Sequence, residues 1–324
     1  MVLAWRQIQL KNFNSWEKLA IFLQLDETQK ESILPKSSFP LNLPLRLAEK
    51  IEKRTLEDPI LKQFLPIKKE LEMQSGFLLD PVSDLSFKKE SKLIHKYKGR
   101  ALLVTSSACA MHCRYCFRKN FAYETERKDF SPELDIIRED TSLKEIILSG
   151  GDPLSLSNDE LKKLLMLLED IPHIQRIRFH TRFPIGIPER IDEDFLKILS
   201  EINKQFFFVI HTNHPKELDN DIFTALKKIQ KLGIPVLNQT VLLKEVNDSP
   251  SVLINLFETL SDHGILPYYL HQLDKVLGAQ HFEVSEETGK ALMQELAANL
   301  SGYSLPRYAK ELPGKSSKTQ ISFF

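Results

Sequence analysis

Three cysteines, Cys109, Cys113 and Cys116, fall within the eight residues C-A-M-H-C-R-Y-C, and the 324-residue chain contains no others. Three thiolates in one compact loop can bind three irons of a [4Fe–4S] cluster and leave the fourth without a protein ligand. That open iron is a binding position. The alternative is zinc, completed by His112 or a distant histidine as a Cys3His site. Three inert core thiols are a poor reading, because His112, Arg114 and Tyr115 are interleaved with them. An odd number of cysteines in a chain this long also argues against a disulfide framework.

The elements that must position this loop are legible in the hydrophobic pattern. Apolar, β-branched or aromatic runs begin near Ala101, Glu145, Gln175, Phe206, Pro235 and Leu266, at intervals of 44, 30, 31, 29 and 31 residues. A strand, a helix and two short loops occupy about 30 residues, so the longer first interval has room for the cysteine loop. The segments between the runs have helical spacing. Ser157 is placed to cap N-D-E-L-K-K-L-L-M-L-L-E-D, and Gly233 to end the helix before the fifth run. Six strand–helix repeats predict an α/β fold whose parallel sheet rolls into a partial (β/α)6 barrel; a flat doubly wound sheet has the same periodicity.

In parallel α/β folds, ligands gather beyond the carboxyl ends of the strands. Here those positions carry the cysteines, then Ser149-Gly150-Gly151-Asp152, His180-Thr181-Arg182, His211-Thr212-Asn213-His214, Asn238-Gln239-Thr240 and His271-Gln272-Leu273-Asp274. Polar groups at every strand end predict one shared site.

The rest of the chain divides around that core of residues 96–302. Residues 1–95 are Lys/Glu-rich with helical patterns around Trp16–Leu25 and Leu45–Arg54, and predict an N-terminal helical extension without catalytic groups. Residues 303–324 read as a short Gly/Pro/Ser/Lys tail. The 44 Lys+Arg balance 44 Asp+Glu, which argues against a dedicated nucleic-acid-binding face. The start M-V-L-A-W-R-Q-I-Q-L lacks the pattern of a secretory leader, and the longest apolar run, Phe206 to Ile210, is too short to span a bilayer. These features predict a soluble cytoplasmic protein.

The cysteine spacing, with an aromatic residue just before the last thiol and a six-fold βα pattern around it, resembles the radical S-adenosylmethionine (SAM) superfamily. The resemblance implies a [4Fe–4S] cluster whose open iron chelates SAM and whose electron splits it to methionine and a 5′-deoxyadenosyl radical. Ser149, Gly150, Gly151 and Asp152 would then lie near the methionine amino group. More narrowly, K-Y-K-G-R-A-L-L-V-T, C-A-M-H-C-R-Y-C-F-R-K-N-F-A, L-S-G-G-D-P-L, N-Q-T-V-L-L-K-E-V-N-D and P-Y-Y-L-H-Q-L-D are together similar to lysine 2,3-aminomutases, over a stretch from about Tyr97 to Lys318.

That family also binds pyridoxal phosphate (PLP) through a Schiff-base lysine. Lys318 in E-L-P-G-K-S-S-K-T fits, because seven residues before it stands Glu311, where the family has an acid for the substrate ammonium; Lys315 is the alternative. The resemblance further implies Arg118 for the substrate carboxylate, and Asp274 with Glu311 for the ε-ammonium. Arg100, with Lys96, Tyr97 and Arg182, would hold the PLP phosphate or ring, and Gln239 and Tyr115 the ribose and adenine of SAM. His271 stands where clostridial-type members have a tyrosine near the phosphate.

The implied reaction is a radical shift that converts L-lysine to β-lysine, of R configuration in the family, with an external flavodoxin- or ferredoxin-type electron donor. The ending with S-K-T and the run L-H-Q-L-D-K-V-L-G-A-Q-H-F are similar to the short bacterial type whose product a separate ligase attaches to elongation factor P. Two other readings share the same sequence features: an aminomutase for glutamate or arginine, and a non-catalytic iron–sulfur or zinc module. Asp274 and Glu311 favour an amine-ended substrate.

Overall fold

The computed structural model describes residues 5–124 and 129–323; residues 1–4, at the start of the stretch read for a leader, lie outside the described residues. One open sheet of ten strands follows strict chain order: β1 (Lys88–Glu90), β2 (Leu93–Tyr97), β3 (Arg100–Ser106), β4 (Glu145–Gly150), β5 (Arg176–Thr181), β6 (Gln205–His211), β7 (Val236–Val241), β8 (Leu266–His271), β9 (Arg307–Lys310) and β10 (Thr319–Gln320). Strands β3 to β9 are parallel, whereas β1 and β2 and, at the other edge, β10 pair antiparallel. The six expected strands are β3 to β8, each starting within one residue of its expected position.

Helices α1 (Trp5–Gln9), α2 (Trp16–Leu23), α3 (Glu27–Lys30), α4 (Leu45–Glu49) and α5 (Pro59–Phe64) precede the sheet. The crossovers are α6 (Ser131–Glu139), α7 (Asn158–Glu169), α8 (Phe183–Gly186) with α9 (Glu193–Glu201), α10 (Asn220–Lys231), α11 (Pro250–Asp262) and α12 (Glu286–Asn299). Ser157 caps α7 with a reciprocal bond to Glu160, and Gly233 takes the left-handed conformation (φ 75°) after α10, both as expected. Among the described residues no helix is long and apolar enough to cross a membrane.

Alternation along the strands explains how the sheet positions a site. In β4, Ile146 and Leu148 are buried while Glu145, Ile147 and Ser149 are not; in β5, Ile177, Phe179 and Thr181 are buried while Arg176, Arg178 and His180 are not. The apolar set packs outward on Leu161, Leu164, Leu165 and Leu168 of α7 and on the equivalent faces of α9 and α10. The other set faces the inside of the curved sheet. A parallel sheet packed on both faces would read as continuous apolar runs, so this alternation marks a hollow interior.

Two expected boundaries shift. The one at residue 95 falls inside β2, because Lys98 and Gly99 (φ 73°) turn β2 onto β3, with Tyr97 opposite Arg100. The tail after 303 is not a free end: β9 extends the parallel sheet from β8, and β10 folds back on β9. Tyr308 and Ile321 are buried and Ile321 N–H donates to the Tyr308 carbonyl at 2.9 Å, which anchors the tail in the main core.

Candidate active site

The inner faces of β3 to β8 enclose a cavity of about 620 Å³, within the range of about 300–1,000 Å³ usual for small ligands and cofactors. Near the strand starts its wall carries Arg100, Glu145, Arg176, Arg178 and Tyr268. Toward the carboxyl ends it carries Ser149, His180, His211, Gln239 and Tyr269, with Lys96, Tyr97, Arg118, Asp274, Glu311 and Lys318 completing it. Eight of the residues assigned by resemblance therefore share one wall with Lys96: Tyr97, Arg100, Arg118, Ser149, Gln239, Asp274, Glu311 and Lys318.

The turn between β9 and β10 brings Lys318 Nζ to 3.5 Å from Glu311, and 5.7 Å from the centre of the Tyr269 ring. Glu311 also accepts from Lys96 Nζ at 3.1 Å and from the Tyr97 hydroxyl. Burial alone would raise the Glu311 carboxyl, but Lys318 with the Tyr97 and Lys96 bonds outweighs it and holds the group below its usual range. Asp274 has no ion pair among the described residues, and burial pushes its carboxyl up to about 7 despite the opposing charge of Lys318. Lys315 is exposed and is not on the cavity wall.

Arg118 is 7% exposed. Its Nε and Nη2 contact Asp84 Oδ2 at 2.9 and 2.8 Å, and Nη1 donates to Ser149 Oγ at 3.3 Å. Asp84 also pairs with Lys96 at 3.2 Å. Asp84 comes from the segment before residue 95, read from sequence as holding no catalytic group, and it lies on the cavity wall; its turn sequence D-P-V-S-D signals backbone geometry and not the destination of the carboxylate.

The cavity wall also holds nitrogens without hydrogen-bond partners among the described residues, Arg178 Nε, His180 Nε2 and His211 Nε2. Burial, then the charge of Arg182 and Lys318, pushes His211 down to about 3; burial and Arg178 likewise push His180 well down. Both shifts favour the neutral imidazole. With Arg100 these side chains form a donor set that fits an anionic aromatic group such as PLP, whereas Lys96, expected there, spends its donors on the Val82 carbonyl, Glu311 and Asp84. The inward alternation R-x-R-x-H on β5 was the sequence signal for Arg178 and His180.

The cysteine loop sits beyond the end of β3. Cys109, Cys113 and Cys116 are free thiols; burial, then the charges of Asp152 and the other two cysteines, raises Cys109 well above its usual range, and burial with Cys113 pushes Cys116 up to about 11. Among the described residues no three His, Cys, Asp or Glu side chains converge as one metal ion requires. A cluster needs no such convergence, because each thiolate binds its own iron. His112, the nearby fourth ligand of the zinc reading, stacks on Phe39 at 4.8 Å and its Nδ1 lies 2.9 Å from the Pro40 carbonyl.

Arg182, expected at the PLP phosphate, is not on the cavity wall. β5 ends at Thr181 and Arg182 starts the turn into α8, so its guanidinium points to the cysteine loop instead. It donates to Cys113 Sγ at 2.8 Å, to Glu217 at 2.6 Å, to Gln63 at 2.8 Å and to the Tyr115 hydroxyl. Asn213 Nδ2 donates to the same Tyr115 hydroxyl at 2.6 Å and to Gln63 at 3.0 Å. This buried network ties Tyr115 and Cys113 to α5, β5 and β6. His271 stacks on Tyr269 at 5.0 Å and is likewise not on the wall.

The Gly150–Gly151 pair works through its backbone. Gly151 N–H donates to Ser106 O at 2.6 Å and Asp152 N–H to Ala108 O at 2.8 Å, so the end of β4 holds the first residues of the cysteine loop. Gly150 has φ 122°, and a β-carbon on Gly151 would lie 2.4 Å from the Ala108 carbonyl oxygen. The Asp152 carboxylate accepts from Thr181 Oγ1 and from the N–H groups of Leu154, Arg182 and Phe183, which makes it a cap joining β4 to β5. Gly151→Ala is expected to cost about 2 kcal/mol or more of stability. It should also lower iron uptake, read by thermal unfolding and iron analysis of the reconstituted protein.

Comparison with known proteins agrees with this geometry. Residues 103–257 match the Radical SAM superfamily. The L-lysine 2,3-aminomutase of Escherichia coli (strain K12) is 41% identical over 289 residues, spanning 88% of this chain and 84% of that protein. The L-lysine 2,3-aminomutase of Haemophilus influenzae is 40% identical over 315 residues, spanning 96% and 93%. That of Buchnera aphidicola is 39% identical over 295 residues, spanning 90% and 87%. With the cysteine loop, the open parallel barrel and relatives this similar along most of both chains, the protein belongs to the radical SAM lysine 2,3-aminomutase family.

Proposed function

We propose that the protein isomerises L-lysine to β-lysine, moving the amino group from Cα to Cβ, with a [4Fe–4S] cluster on Cys109, Cys113 and Cys116, SAM, and PLP on Lys318. The observation that carries this reading is one cavity with opposite charges for the two ends of a diamino acid. Arg118 offers a guanidinium for the carboxylate, while Asp274, without an ion pair among the described residues, and Glu311 offer acids for the ε-ammonium. When bound, the cluster supplies the electron that cleaves SAM, and PLP supplies the π-system that carries the migrating nitrogen. Arg100, with Arg178 added from the geometry, would hold the phosphate; Gln239 would meet SAM. The enclosing strands orient the substrate and exclude water.

A glutamate would place a second carboxylate beside Asp274 and Glu311, which like charge disfavours. Arginine is cationic and is separated from lysine by product analysis. We propose further that the product is (R)-β-lysine and serves the ligase that modifies elongation factor P. The support is the L-H-Q-L-D run and the S-K-T signature around Lys318. Reconstituted anaerobically with SAM, PLP and reductant, the protein should convert L-lysine and leave L-glutamate and L-arginine unchanged. Preferential conversion of either of the latter would overturn the substrate assignment.

Asp274 gives this reading a pH signature. Burial pushes its carboxyl up to about 7, and only the ionised form attracts an ammonium, so lysine binding should release a proton near neutrality. Affinity is then expected to fall as pH drops below about 7, by up to about tenfold per unit. Asp274→Asn should weaken lysine binding about 10- to 100-fold at pH 8 and flatten the dependence, measured by calorimetry between pH 6 and 8.

A further inference from the structure

Asp84 lies on the segment that leads into β1, where two 3.0 Å bonds from the N–H groups of Asp84 and Leu85 to the Asp80 carboxylate fix the turn. Only 4% exposed, it stands between two cations of the cavity wall. Its Oδ2 takes the Nε and Nη2 edge of Arg118 at 2.9 and 2.8 Å, and its Oδ1 lies 3.2 Å from Lys96 Nζ. Burial opposes ionisation of Asp84, but Arg118 and Lys96 outweigh it and hold the carboxyl below its usual range. Among the described residues Arg118 Nη1 keeps only the longer 3.3 Å bond to Ser149 Oγ. A guanidinium fork held rigidly on one edge leaves its other donors pre-aimed, and pre-aimed donors discriminate geometry better than a mobile charge.

We propose that Asp84 is a positioning residue for the substrate carboxylate: it fixes Arg118 so that Nη1, beside Ser149 Oγ, presents to a carboxylate in the cavity. Asp84 also lies 3.2 Å from Lys96 Nζ, a contact that offsets the Lys96 charge without touching either ligand end. This inference rests on the reading of the cavity as a lysine site. It assigns Asp84 to one end of the ligand only, which separates a positioning role from a general structural one.

The test compares dissociation constants, by calorimetry, for L-lysine, L-lysinamide and L-2-aminohexanoate on protein reconstituted with cluster, SAM and PLP. Lysinamide lacks the carboxylate and 2-aminohexanoate lacks the ε-amine. In Asp84→Asn the preference for lysine over lysinamide is expected to fall at least about tenfold, while the preference for lysine over 2-aminohexanoate stays as in the wild type. Asp84→Glu, which keeps the charge, should hold the carboxylate preference to within about threefold of wild type. Equal loss of both preferences, or an unchanged lysine-over-lysinamide preference in Asp84→Asn, would overturn the inference alone. Wild-type protein that binds no lysine would overturn the inference together with the reading beneath it.

Discussion

Lys318→Ala is expected to lose the visible absorbance of bound PLP and at least about 1,000-fold in lysine isomerisation, because the other lysine of the wall, Lys96, is held by the Val82 carbonyl, Asp84 and Glu311. Lys315→Ala should keep both. The contrast rests on the fold of the tail. β9 and β10 hold Lys318 between Glu311 and Tyr269 on the cavity wall, while Lys315, three residues earlier, lies exposed in the connecting turn. Both readouts use the same titration of apoprotein with PLP, followed by absorbance and product assay. Retained absorbance in Lys318→Ala together with lost absorbance in Lys315→Ala would reverse the assignment.

The second large effect is expected at the cysteine loop. Cys113→Ala should reduce iron from about four per chain to below one, with loss of SAM cleavage and of all isomerisation. Two thiolates cannot hold three corners of a cluster, and Cys113 is also the sulfur to which Arg182 donates at 2.8 Å. PLP absorbance should survive, since none of the three cysteines is on the wall with Lys318. Stoichiometric zinc without iron in the wild-type protein would instead support a structural module.

The two variants probe parts of the molecule that differ in how legible they are from sequence. Strands β3 to β8 were predictable because their alternation and roughly 30-residue rhythm are local, and the Ser157 cap and Gly233 stop are set by neighbours a few residues away. β9 escaped because R-Y-A-K is too short for periodicity, and pairing with β8, about 40 residues earlier, is what makes it a strand. Tertiary pairing likewise turned an apparently loose tail into the support of Lys318.

Site residues divide along the same line. Arg118 and Asp274 follow short motifs whose backbone is fixed by the cysteine turn and the end of β8, and both reach the cavity. Arg182 follows β5 just as directly, yet the chain bends into α8 there and turns its side chain to Cys113 and Glu217. Asp84 was illegible for the opposite reason. It reaches Arg118, 34 residues away, only because the segment before β1 packs over the barrel, and no local pattern records that contact.

The central claim is an intramolecular radical shift on lysine, and the most direct measurement follows one hydrogen. Protein reconstituted anaerobically with SAM, PLP and reductant is given L-lysine deuterated at C3. The account predicts β-lysine carrying deuterium at C2, with part of the label passed into SAM. Protein that carries intact cluster and PLP but forms no β-lysine, or forms it with no deuterium at C2, would contradict it.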